Sequence, residues 1–402
     1  VYASAYGQIT EEFGCSQEVA ILGLSLFVVG IAVGPMVVSP LSEFYGRRPI
    51  YLISIFFFLM FIIPCAAAQN IQTMLIGRFL DGIAGSAFLT VAGGTVSDLF
   101  APSDIQAPMI LYTVAPFLGP VLGPLIGGFV NQFASWRWTF YVLLIWTGVI
   151  LGCLIFVPET FHPVLLTRKA AALRKSTNNS EYYSASEIAN RSKSLSKTLL
   201  HSIYRPFQLL LLEPMCLCLD LYSALLLGIL YLFFGAFPLV FSTNYGFELW
   251  QTGLTFLGLM VGILLAAATN PLWFKNYLRL VAKANVANPQ AADEKPSKPD
   301  PEFRLPPTIF GSILVPVGLF WFGWTTYSSV HWIVPIIGSV FFSAGNFFAF
   351  SGIFTFLVDA YPQYAASALA GNTFTRCMFA AAFPLFGDQS ESRLSPPAIF
   401  TC

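Results

Sequence analysis

Arg78 and Asp81 stand three residues apart inside an otherwise apolar run, a spacing that puts both on one helix face, where they can pair. Alone in hydrocarbon each would cost about 2.5–3.5 kcal/mol on insertion scales. Such a pair has two uses. It can be a permanent salt bridge that orients its helix, or Arg78 can bias the ionisation of a nearby carboxylate, Asp81 being a candidate, so that a proton and a substrate compete. Glu213 and Asp220, seven apart and so roughly on one face, open another apolar run, and Arg376 lies about midway along a third. Asp220 is the deeper acid and the second candidate for binding a proton or cation, whereas Glu213 is placed equally well to cap a helix start. Arg376 suits an anionic substrate or a pairing with an acid, and the sequence does not separate these. Ionisable groups at membrane depth mark a transport pathway by default.

Gly119, Gly123 and Gly127 recur every four residues and form one smooth stripe, while Pro120 and Pro124 weaken the backbone bonds between them. A kinked helix with a flat face is expected. Enzyme chemistry has little footing. His162, His201 and His331 fall near loops, and no HExxH, GxSxG or Walker GxxxxGK[ST] pattern occurs. The seven cysteines are scattered through apolar stretches, and Cys216 and Cys218 point about 200° apart on a helix, so they do not converge on a metal. No catalytic residue, metal or cofactor is expected, and the protein reads as a non-enzyme.

The elements that hold these groups follow from composition. Of 402 residues 56% are apolar and 10% charged, 20 basic residues balancing 20 acidic ones. A soluble domain carries about 25% charged residues, and disorder needs low hydrophobicity with high net charge. Both classes are excluded, and neutrality removes any whole-chain attraction to nucleic acid. A membrane-spanning helix needs about 20 mostly apolar residues. Ten segments qualify: 19–40, 50–68, 72–98, 107–131, 137–157, 211–242, 250–274, 308–327, 331–358 and 364–387. Sixteen of the 20 basic residues fall in loops on one side, beginning with Arg47 and Arg48, and only Arg137 falls in a loop on the other. That side is therefore expected to be cytoplasmic. The reading is an all-α membrane protein with an N-terminal bundle over 1–157, a cytoplasmic linker over 158–207, a C-terminal bundle over 208–387 with a cytoplasmic loop at 275–307, and a polar tail over 388–402. Asp98-Leu99-Phe100-Ala101-Pro102 has a counterpart in Asp359-Ala360-Tyr361-Pro362. Two such halves suit alternating access, and both aspartates are expected in contacts between the halves.

Several runs carry a family resemblance. Pro40-Leu41-Ser42-Glu43-Phe44-Tyr45-Gly46-Arg47-Arg48-Pro49 resembles the loop signature between the second and third spans of the major facilitator superfamily, with Ser39, Glu43 and Phe44 where the family usually has Gly, Asp and Arg. Arg78-Phe79-Leu80-Asp81-Gly82 resembles its fourth-span arginine motif. The run Gly119-Pro120-Val121-Leu122-Gly123-Pro124-Leu125-Ile126-Gly127-Gly128 is similar to the fifth-span motif of its antiporters. Pro158-Glu159-Thr160-Phe161, Glu213-Pro214 and Phe237-Pro238 resemble the fungal branch of twelve-spanner drug:proton antiporters. On that likeness residues 1–7 look like the outer end of a first span, and a twelfth is lacking.

The resemblance implies two pseudo-symmetric bundles with ten full spans and the end of a first. It makes Glu43, Gly46, Arg47 and Arg48 a conformational latch that meets the start of the eleventh span near Tyr364. It makes the 119–128 stripe a seam against Gly253, Gly258 and Gly262 of the eighth span, and it points to Tyr231 and Phe237 as cavity residues. The function expected is proton-coupled export of small lipophilic or cationic molecules by a monomer, with protons, substrate and the bilayer as partners. The plasma membrane is the expected site, with the vacuolar membrane as the other. Sugar-type uptake and a transport-inactive fragment are the competing readings.

Overall fold

The computed structural model describes residues 1–100, 106–177, 182–185, 187–188, 195–287, 300–361 and 364–393. Among these residues the chain is all α-helical apart from turns. After a 3-10 turn at Tyr2–Ala5, the first half holds α1 (Tyr6–Phe13), α2 (Gln17–Tyr45), α3 (Arg47–Ala66), α4 (Ile71–Gly85), α5 (Ala87–Leu99), α6 (Gln106–Phe133) and α7 (Arg137–Ile155). The expected linker includes α8 (His162–Thr177) and α9 (Leu195–Leu212), the second running on to the start of the next span. The second half holds α10 (Pro214–Tyr245), α11 (Leu249–Thr255), α12 (Leu257–Ala287), α13 (Pro306–Trp324), α14 (Ile333–Ala360) and α15 (Ala365–Arg393).

Among the described residues nine spans are long and apolar enough to cross a membrane, α4 with α5 and α11 with α12 each counting as one. The tenth expected span is present as α15, but it is less apolar than the rest. It packs between α10 and α2, and a helix enclosed by protein can carry Gly371, Asn372 and Thr373 where a lipid-facing one would carry leucine. The linker reading is also refined. Pro214 lacks an amide hydrogen, so the helical course breaks at Glu213 and α9 stands apart from α10. The polar tail begins as helix through Arg393, and residues 394–402 lie outside the described residues, as do 288–299 of the second loop.

Close approach of backbones sets the crossings. Gly30 of α2 lies against Gly82 of α4, where a Cβ on either would strike backbone. Gly311 and Gly318 of α13 meet Gly345 and Gly338 of α14 in the same way, as expected where van der Waals packing rather than water drives helix association. The second half encloses an aromatic core of Phe233, Phe237, Phe241, Phe256, Phe322 and Phe342, joined by Val114, Phe117 and Val121 of α6. The halves touch along α2 with α15 and along α6 with α11 and α12.

Candidate functional site

The α2–α3 turn is a single residue, Gly46, with φ of 100°, in the region that favours glycine. A Cβ there would run into the Glu159 carboxylate. That carboxylate accepts the amides of Arg47 at 2.9 Å, Arg48 at 3.2 Å, and Thr160 and Phe161 at 3.0 Å, so it caps the start of α3, where amides are unpaired and an anion is favoured. Arg47 Nε donates to Asp98 at 3.0 Å and Nη1 to Ser42 Oγ at 2.7 Å, with the guanidinium 4.6 Å from the Phe161 ring. Arg48 Nη2 donates to the Ile155 carbonyl at 2.7 Å. Glu43 is exposed.

This clasp lies within the first half and the start of the linker that follows it. Its counterpart in the second half is Arg304, which donates to Asp359 at 2.7 Å and lies 3.7 Å from the Tyr277 ring centre. Asp98 and Asp359 therefore hold their own halves together instead of bridging the two, because each lies beside an arginine from its own half. Tyr364, the expected landing point of the latch, lies 3.8 Å under Arg205 of α9.

Deeper in, Arg78 and Asp81 lie 3.7 Å apart and both are buried. The Arg78 guanidinium stacks 4.2 Å from Phe27 and 4.8 Å from Tyr2, while both Asp81 oxygens accept no hydrogen bond among the described residues. Asp220 is wholly buried and is held differently: Asn372 Nδ2 donates to it at 2.9 Å and to Ser223 Oγ at 2.7 Å, and Cys216 Sγ approaches at 3.6 Å. Glu213 sits at the start of α10, 3.5 Å from the Tyr361 hydroxyl. Arg376 lies over Phe354 at 5.0 Å and Phe350 at 5.7 Å.

The glycine stripe divides its contacts. Gly123 and Gly127 face Val1 and Ser4, Gly119 faces open space, and Gly128 and Pro124 approach Gly253 of α11 at backbone distance. The helix α6 runs unbroken through Pro116, Pro120 and Pro124. Of the eighth-span glycines only Gly253 meets α6, since Gly258 and Gly262 face Ile336, Ser339 and Ser343 of α14. Tyr231 lies among Val28, Ala32, Cys377 and Ala380, between α2 and α15. Phe237 corrects the cavity expectation: it is fully enclosed by Phe233, Phe241, Phe256 and Phe322, with ring centres 4.6–5.6 Å away, so it is packed core.

At the other end of the helices Glu12 receives Arg137 at 2.6 Å and Trp136 Nε1 at 2.6 Å, and Arg137 also donates to the Ala68 carbonyl at 3.1 Å. The hydrogen bonds from Arg137, then from Trp136, hold the Glu12 carboxyl below its usual range. No group of three metal ligands occurs among the described residues. Sequence reasoning missed the roles of Glu159 and Asn372. An asparagine within a membrane helix was itself the signal for the second, whereas nothing local tied Glu159 to a turn more than a hundred residues away.

A model of the Major Facilitator Superfamily matches residues 1–384. The chain is 57% identical over 358 residues to "Efflux pump atB" of Aspergillus terreus, covering 89% of this chain and 74% of that protein. It is 44% identical over 382 residues to "Probable drug/proton antiporter YHK8" of Saccharomyces cerevisiae, covering 95% and 72%. A third fungal relative, the "Major facilitator superfamily multidrug transporter mdrA" of Aspergillus fumigatus, is 42% identical over 389 residues, and the chain spans 96% of itself and 62% of that protein. Among solved structures, the xylose transporter XylE from E. coli in a partially occluded inward-open conformation superposes with a TM-score of 0.63 at 16% identity, over 96% of this chain and 88% of that one. The last likeness is one of fold.

Proposed function

Because the chain belongs to the Major Facilitator Superfamily, we propose that it is a secondary active exporter of small lipophilic molecules, driven by inward proton flow. It is a multi-pass integral membrane protein, and its seat in this reading is the plasma membrane, where it works as a monomer. The observation that carries the proton coupling is Asp81, a buried carboxylate that among the described residues pairs with one arginine at 3.7 Å and whose oxygens accept no hydrogen bond there. Such an acid takes a proton without giving up a hydrogen bond. Asp220, tied to Asn372, is the second acid of the pathway.

The proposed cycle rocks residues 1–157 against 208–387. With the site open to the acidic exterior Asp81 takes a proton, which weakens its hold on Arg78; with the site open to the cytoplasm the proton leaves and substrate binds in its place. Arg47 with Glu159, Asp98 and Ser42 keeps the basic end of the first half rigid during that motion. Relatives named as an efflux pump and a probable drug/proton antiporter support export over uptake. The test is reconstitution in liposomes with an imposed pH gradient. Addition of tetraphenylphosphonium, a lipophilic cation, or of a neutral lipophilic dye should increase proton flux, and flux indifferent to either compound would refute the reading.

A further inference from the structure

Two arginines lie deep in the spans, and only one has a carboxylate. Arg78 faces Asp81. Arg376 stands eleven residues into α15, about 16 Å along its axis. It makes no ion pair among the described residues, and its buried Nε donates to nothing there. It is half-buried, with its guanidinium over Phe354 and Phe350 of α14. Its chain neighbour Cys377 shares an apolar cluster with Val28 and Ala32 of α2, against which Tyr231 of α10 packs, so this stretch of α15 lies where the halves meet. Asp220 does not neutralise it at contact, because that carboxylate is taken up by Asn372 and Cys216.

A cation surrounded by aromatic side chains and lacking a contact anion is costly in a low-dielectric interior. The planar fork of a guanidinium matches a carboxylate with two parallel hydrogen bonds. We propose that Arg376 receives the ionised carboxylate of the exported molecule, whose apolar body lies against Phe354 and Tyr231, so that the preferred cargo is a lipophilic weak acid in its anionic form. This names a substrate class for the exporter proposed above and rests on that reading. The chemistry is coherent with export. A neutral acid crosses the bilayer unaided, ionises at cytoplasmic pH and is trapped, so the anion is the species that needs a carrier, and an interior-negative potential favours its expulsion.

Binding of naphthoate and of its neutral isostere naphthamide to the purified full chain tests the idea. Wild type should bind naphthoate about tenfold more tightly or better, as befits a charged hydrogen-bonded pair. Arg376→Gln should abolish that preference, with Arg376→Lys keeping part of it. A second measurement needs no variant: naphthoate, and not naphthamide, should slow phenylglyoxal modification of Arg376 as read by mass spectrometry. Equal affinities in wild type, a preference that survives Arg376→Gln, or modification that naphthoate does not slow would each overturn the proposal. Proton flux evoked by tetraphenylphosphonium separates the two readings. Flux with that cation but no naphthoate preference removes the anion site alone, whereas the preference without flux from any compound removes the exporter.

Discussion

Asp81 and Asp220 are both buried aspartates in spanning helices, yet their oxygens meet different partners, and the partners assign different consequences to losing each. Among the described residues Asp81 pairs with Arg78 alone, so Asp81→Asn should reduce substrate-evoked proton flux in liposomes to the background of empty vesicles and lower the thermal midpoint by leaving Arg78 without its anion, with Asp81→Glu retaining part of the flux. Asp220 depends on Asn372. Removing that donor with Asn372→Ala strands a buried acceptor, a change that costs about 1–3 kcal/mol, and should lower the thermal midpoint in detergent measurably. Glu12 offers a pH test outside the membrane. Its carboxyl is held low mainly by Arg137, so the folded state binds fewer protons than the unfolded one. The stabilisation is present above the unfolded value of about 4.3 and is lost as pH falls through the folded one. Glu12→Gln should lower the midpoint slightly at neutral pH, by less than the ~1 kcal/mol ceiling of exposed pairs, and match wild type in acid.

Among the elements, the α2–α3 turn and the α6–α11 crossing are the two places where a single atom decides geometry. Gly46→Ala puts a Cβ at φ of 100° and into the Glu159 carboxylate. The backbone part alone costs about 1–2 kcal/mol, and the displaced cap adds to it, so the variant should be less stable than Glu159→Gln, a ranking that thermal unfolding checks. At Gly128 a Cβ would sit 2.8 Å from the Leu249 carbonyl, so Gly128→Leu should force α6 from α11 and make the vesicles leaky to protons without substrate. The stripe of Gly119, Gly123 and Gly127 does not make that contact; Gly123 and Gly127 face the N-terminal turn and Gly119 faces open space. The three interior prolines of α6 are compatible with continuous helix because intramembrane packing supplies neighbours to the freed carbonyls.

For the whole molecule, each half carries its own arginine–aspartate clasp, Arg47 with Asp98 and Arg304 with Asp359. Each clasp stiffens one half, which is what two lobes moving as units require. Between them lies the α2–α15 surface, where Val28 and Cys377 share one apolar cluster. Val28→Cys should therefore allow a short bis-methanethiosulfonate to link the pair and stop transport, with reductant restoring it. Transport that continues in the linked protein would mean that this surface stays closed throughout the cycle.

Much of this was legible in the residues alone. The spans follow from apolar length, and the orientation of the loops from the lysines and arginines that resist crossing lipid. The isolated charges of Arg78, Asp81, Asp220 and Arg376 announced themselves because an ionisable group at such depth is rare. These are local properties, fixed by transfer energies of individual side chains, and no fold is needed to read them. Partnership is not local. That Glu159 caps a turn at Gly46, that Asn372 rather than an arginine holds Asp220, that Phe237 is enclosed while Arg376 is left without an acid, all depend on which helix faces meet. Spacing along one helix cannot fix a contact between two, and close packing of the bundle made each of those choices.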